Sequence, residues 1–123
     1  MIRMSDRIYH LATCSTCKAI LKELAPPKTV EYREIKLQPI TPEELDHMKA
    51  LAGSYEALFS RKAIAYRERN LKDVPLTEAD YRRLILEEYT FLKRPVVIAG
   101  DQIFIGSALH KTPDAKNALR KEA

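Results

Sequence analysis

Arg7-Ile8-Tyr9-His10-Leu11-Ala12-Thr13-Cys14-Ser15-Thr16-Cys17-Lys18-Ala19-Ile20-Leu21-Lys22-Glu23-Leu24 is the stretch on which the reading of this chain turns. Its first six residues, Arg7 to Ala12, are rich in β-formers and predict a short strand. Small polar residues from Thr13 interrupt it. Cys17, Ile20, Leu21 and Leu24 then recur at spacings of three and four, the apolar stripe of a helix, and Pro26-Pro27 stops that helix. The unit is strand, Cys-Ser-Thr-Cys, helix. Cys14 falls where the helix begins, and there unpaired N–H groups and the positive end of the helix dipole stabilise anions. A thiolate so placed has a pKa below the free value of about 8.5. Cys17 lies one turn further in, on the apolar stripe, and is less exposed and less activated. An exposed nucleophile backed by a resolving thiol fits this geometry. Two other readings of the pair stay open on residues alone: inert buried thiols, and half of a metal site. Zinc needs about two further ligands. The histidines available, His10, His47 and His110, are not at ligand spacing, so no metal is expected.

Outward from this unit, Thr29 to Leu37 predicts a second, partly exposed strand with Val30 and Tyr32 on one face. Thr41-Pro42-Glu43-Glu44 carries three concordant helix-start signals: a hydroxyl at the N-cap, Pro at N1 and Glu at N3. Leu45, Met48 and Leu51 give that helix its apolar side, and Gly53 ends it. A short helix is predicted over Tyr55 to Ser60 and a further helical stretch near Ala63 to Arg69. Another helix starts at Thr77 and shows a stripe through Tyr81, Leu84, Ile85, Tyr89 and Leu92. Arg94-Pro95 closes the helical region, because the residue before proline is pushed out of the α basin. Val96 to Ala99, the turn Gly100-Asp101 and Gln102 to Ile105 predict a β-hairpin, and Thr112-Pro113-Asp114 starts a last helix to about Lys121. The order is β-α-β, then helical pieces, then β-β-α. The expected fold class is α/β: a core of about 7–40 and 94–121, with a helical insertion of about 41–93 between strands two and three, in a single domain. The Cys-x-x-Cys after the first strand gives this core a thioredoxin/glutaredoxin-like cast.

The 123 residues suit one ordinary domain, and their 46% hydrophobic and 31% charged content is that of a globular chain rather than a disordered one. A net charge of +4 is mild and mixed in sign. It admits an anionic partner but lacks the concentrated basic stripe of a nucleic-acid binder. No apolar run approaches the roughly 18 residues of a membrane span. The first residues carry no long apolar segment of a secretory signal. The expected compartment is the cytoplasm, where thiols stay reduced unless they do redox work.

Three residues besides the cysteines are candidates. His10, four before Cys14, can orient or stabilise a thiolate; a half-buried strand histidine is the plainer alternative. Arg61 and Arg94 each present a guanidinium fork suited to an oxyanion or a carboxylate; solvated surface arginines are the alternative. The remaining charged stretches mix signs at helical spacing and read as solvated helix faces.

The run Ile8 to Cys17, the later Gly53 with Leu58-Phe59-Ser60-Arg61-Lys62, and Lys93-Arg94-Pro95-Val96-Val97-Ile98 with Ile105-Gly106 resemble the glutaredoxin-coupled arsenate reductase ArsC and its relatives, which include the transcription regulator Spx. The resemblance covers about residues 7 to 120. It implies a thioredoxin-like fold with an inserted helical subdomain, and in such folds Arg94 faces the active cysteine and the Arg94–Pro95 bond is often cis. It also implies that Cys14 is the nucleophile, that His10 matches a histidine at the same offset, and that Arg61 and Arg94 match two of three oxyanion-binding arginines. Gly106 stands where the third arginine falls. Cys17 has no counterpart in the reductases of this type, whereas Spx has Cys-x-x-Cys. Two functions follow as expectations. One is a thiol oxidoreductase acting on a small oxyanion or a disulfide, with no tightly bound cofactor and with glutathione and glutaredoxin as reductant. The other is an Spx-like redox switch that docks on the RNA polymerase α subunit.

Overall fold

The structure is a computed structural model that describes residues 6–24 and 30–106. The chain divides into two compact units, one built from the residues up to Gln38 and from Arg94 onward, the other from Pro39–Lys93.

The first unit is a four-stranded mixed sheet in the order β2-β1-β3-β4. Strand β1 (Arg7–His10) pairs in parallel with β2 (Glu31–Glu34) and antiparallel with β3 (Val96–Ala99), which forms the hairpin with β4 (Gln102–Ile105). A parallel pair needs a crossover, and helix α1 (Ser15–Leu24) supplies it. Ile8, Val97 and Ala99 share a core with Ile20 of α1 and with Val30, and Leu21 and Phe104 pack against it. That cluster accounts for the middle of the helical stripe: Ile20 and Leu21 are the α1 residues that meet the sheet in it. Asp6, buried just ahead of β1, accepts a hydrogen bond from the Gly100 amide at 3.0 Å and so ties the hairpin turn to the start of the first strand.

Strand β2 is shorter than the expected Thr29–Leu37. Its chain turns after Glu34, because the Gln38 amide bonds back to the Glu34 carbonyl at 2.9 Å and the Leu37 amide to the Glu34 carboxylate at 2.8 Å. Val30 and Tyr32 do not share an environment either. Val30 is buried in the core while Tyr32 stays 48% exposed on the edge strand.

The second unit holds α2 (Pro42–Ala52), α3 (Ile64–Glu68), α4 (Glu78–Glu87) and three short 3-10 turns. Helix α2 opens on the expected capping box: the Glu44 amide donates to the Thr41 hydroxyl at 3.1 Å, and the Glu44 carboxylate accepts from the Thr41 amide at 2.9 Å. Gly53 closes the helix at φ 99°, a left-handed conformation that favours glycine. Thr77 and Asp80 form a second capping box at α4. This unit has an aromatic core, in which Phe59 stacks on Phe91 at 5.0 Å and lies 4.9 Å from Tyr81. The stripe that predicts one helix through Leu92 is interrupted. Glu88 adopts extended backbone, and Tyr89–Phe91 form a 3-10 turn. The Ser60 amide bonds to the Phe91 carbonyl and the Lys93 amide to the Leu58 carbonyl, so this segment pairs with 58–60 instead of continuing the helix. Burial alone gives Phe91 and Leu92 their apolar character. The expected last helix, near 112–121, lies outside the described residues.

Candidate active site at the mouth of the first helix

Cys14 is the residue at which strand becomes helix. Its amide donates to the Leu11 carbonyl at 3.0 Å, closing a turn, and its carbonyl accepts the first helical bond, from the Lys18 amide at 3.1 Å. Cys14 is therefore the N-cap of α1. A side chain at that position faces the unpaired N–H groups of the first turn, where a capping oxygen normally sits. Cysteine carries a sulfur at that position instead of an oxygen.

The two thiols are free and differ in environment: Cys14 is partly exposed, whereas Cys17 is 1% exposed. Burial pushes the Cys17 thiol up to about 11, and its hydrogen bond with the Cys14 side chain adds to the rise. A backbone hydrogen bond from Leu11 and the charge of Arg94 act the other way without reversing it. Two consequences follow. The sulfurs are within hydrogen-bonding contact of each other, and Arg94 is within electrostatic reach of Cys17. Arg94 is half-buried, and its bond to Pro95 is cis, as the resemblance implies.

His10 ends β1 in register with Glu34. Its ring meets Tyr32 edge-on at 5.7 Å, and its charge acts on the Glu34 carboxylate. Glu34 is a residue that sequence reasoning missed. One of its carboxylate oxygens accepts from the Ala12 amide at 3.0 Å and the other from the Leu37 amide at 2.8 Å. These bonds, that to Ala12 foremost, hold the carboxyl below the usual range.

Arg61 belongs to the second unit and is engaged there. Its guanidinium pairs with the Glu56 carboxylate at 2.8 Å, bonds the Tyr81 hydroxyl at 3.0 Å and lies 5.8 Å above the Tyr81 ring. It also borders a cavity of about 360 Å³ with Lys62, Tyr66, Arg67 and Lys72. The structure thus brings Cys14, Cys17 and Arg94 together, and gives Arg61 partners of its own.

Gly106 follows β4 directly. Its amide donates to the Pro95 carbonyl at 2.8 Å, and its φ is 68°. An L side chain there meets left-handed strain. Among the described residues no group of three or more His, Cys, Asp or Glu could hold a metal ion, and no helix is long and apolar enough to cross a membrane.

The ArsC family model matches residues 9–111, from the first strand through the cysteines, the insertion and the hairpin. The chain belongs to the ArsC family. Its fold is the thioredoxin-like fold of that family with the helical insertion. An arsenate reductase from Vibrio cholerae superposes with a TM-score of 0.74 at 23% identity, over 93% of this chain and 99% of that one. An ArsC family related protein from Bacteroides fragilis gives 0.71 at 26%, over 85% and 92%. A protein from Staphylococcus aureus gives 0.66 at 26%, over 86% and 95%. No curated protein matches this ArsC family chain in sequence.

Proposed function

We propose that this ArsC family protein is a cytoplasmic thiol-dependent oxidoreductase of the arsenate reductase type, with Cys14 as its nucleophile. The observation that carries the reading is the position of Cys14 as N-cap of α1, with a second thiol in contact with it and Arg94 within electrostatic reach of that second thiol. Helix N-termini lower thiol pKa values, and a thiolate at neutral pH is the species that attacks arsenic or sulfur. Arg94 holds the oxyanion, or the carboxylate of glutathione, by charge-assisted hydrogen bonds. Arg61 takes the same role by resemblance; to do so its guanidinium shares or exchanges the Glu56 carboxylate.

The Cys14 thiolate attacks the arsenic of arsenate and an oxygen leaves as water, giving a Cys14–arsenic bond. The glutathione thiol attacks the arsenic and a second oxygen leaves as water; the two sulfurs then join as a disulfide, both arsenic–sulfur bonds break, and the electron pair left on arsenic takes it from As(V) to As(III). Arsenite leaves, Cys14 remains as the mixed disulfide with glutathione, and a glutaredoxin dithiol reduces it.

Cys17 is a poor attacking group in this scheme. A thiol near 11 is almost wholly protonated at neutral pH. When the Cys14 sulfur is tied up in an adduct, the part of that rise due to Cys14 disappears, but burial, the larger cause, remains. In this reading external glutathione supplies the second thiol. The test is NADPH loss coupled through glutathione reductase, with arsenate, glutathione and glutaredoxin present. Turnover is expected, and Cys14→Ser abolishes it while Cys17→Ala retains most of it. Turnover no greater than that of Cys14→Ser removes the arsenate reading.

The hydrogen bond between the two cysteine side chains favours one second reading. The pair closes to a disulfide on oxidation and switches a surface for the RNA polymerase α subunit, as in Spx. A pull-down under oxidising and reducing conditions separates the readings, since the reductase needs no polymerase contact in either state.

A further inference from the structure

We propose that Glu34 is a positioning residue for Cys14: from the neighbouring strand its carboxylate clamps the loop that presents the sulfur. The inference rests on the reading of Cys14 as nucleophile. Ala12, two residues before Cys14, lies outside both β1 and α1. Its amide donates to one Glu34 oxygen at 3.0 Å, while the Leu37 amide occupies the other at 2.8 Å. Leu11 accepts from the Cys14 amide and bonds the Cys17 sulfur. The Ala12 bond ties this loop to the second strand.

The clamp is itself anchored. Glu34 sits in the parallel register opposite His10, the Ile35 amide bonds the His10 carbonyl at 3.0 Å, and the Gln38 amide bonds the Glu34 carbonyl at 2.9 Å. The facing groups, the Ala12, Lys36 and Leu37 amides and the charge of His10, all favour the ionised carboxylate. Bonds to an ionised acceptor are about twice as strong as neutral ones, so the loop is held by the stronger kind. The sulfur's stabilisation depends on its aim at the first-turn amides, and that aim depends on where the loop places Cys14.

The direction of the effect separates positioning from plain charge. A negative charge near a thiolate disfavours it, so a carboxylate acting only by charge would slow Cys14, and its removal would speed it. Positioning predicts the opposite. The experiment compares wild type, Glu34→Ala and Glu34→Gln by Cys14 alkylation with iodoacetamide at pH 7, the thiolate absorbance titration, and hydrogen exchange at the Ala12 amide. In Glu34→Ala, alkylation is expected to slow about tenfold, the titration to move up, and Ala12 to lose protection. Glu34→Gln keeps the shape and one acceptor oxygen and recovers most of the rate. Should Glu34→Ala fail to fold by circular dichroism, Glu34→Asp replaces it, since its shorter side chain cannot span both amides. Alkylation at or above the wild-type rate in the folded variant overturns the proposal, as does unchanged Ala12 exchange. The comparison uses rate ratios and amide exchange rather than turnover. A protein that does not reduce arsenate therefore leaves this test intact, and a failed clamp leaves the reductase reading standing.

Discussion

Gly106 shows how a residue-scale conflict resolves. The resemblance reads it as a missing arginine, a loss of anion-binding charge. The structure adds a backbone reason for glycine: φ is 68°, and the amide is committed to the Pro95 carbonyl next to Arg94. A side chain there distorts the backbone beside the arginine that acts on the cysteines. Gly106→Ala is expected to cost about 1 kcal/mol in urea unfolding, and Gly106→Arg is expected to lower stability as well. An unchanged urea midpoint in Gly106→Ala counts against this account. Cys14 and Cys17 were legible from spacing alone, because a strand-to-helix transition fixes which cysteine caps and which is buried. Glu34 was not, because its partners are backbone amides, which carry no residue signature.

Among the elements, the helix starts at Thr41 and Thr77 were the plainest local signals, and a capping box closes each of them. Their signal is short-range: a hydroxyl and an acid three residues apart satisfy each other's amides wherever the helix lies. Thr41→Ala removes the acceptor for the Glu44 amide and is expected to lower stability by about 1 kcal/mol, read as a shifted denaturant midpoint with an unchanged slope. A change below about 0.3 kcal/mol would mean water replaces the hydroxyl at this end. Apolar periodicity was less dependable at the end of α4. Tyr89 and Leu92 continue its stripe although the helix stops at Glu87. A residue buried in a 3-10 turn against 58–60 is as apolar as one buried on a helix. The strand reading of Thr29 to Leu37 ran past a break in its own pattern: the apolar positions shift from 30 and 32 to 35 and 37 where the Glu34 carboxylate and carbonyl turn the backbone.

The molecule as a whole carries several carboxylates held below their ordinary range. Asp46 is held there by its hydrogen bond to Arg82 and then Tyr55, Glu56 by Arg61 and Tyr81, Asp80 by Thr77, and Glu34 by Ala12. A depressed folded value means that each contributes stability in full above its unfolded value near 4 and loses it as pH falls through the folded value. Thermal melts are therefore expected to hold between pH 5 and 7 and to drop below about pH 4. Asp46→Asn is expected to melt lower at pH 7 and to lose less on acidification. An equal acid loss in the variant would remove Asp46 from the set.

The α/β class, the strand–cysteine–helix unit, the inserted helical region and the helix starts are all legible in local order, because each is written in neighbours a few residues apart. Where the long-range polar groups go is settled by packing. Glu34 reaches the loop before Cys14 across 22 residues, and Arg61 is taken up by Glu56 and Tyr81. Packing also decided the chemistry of Cys17, whose thiol is raised mainly by burial. Charged side chains are long and have several acceptable partners, and burial is set by the whole packed unit, so neither choice is encoded in local order.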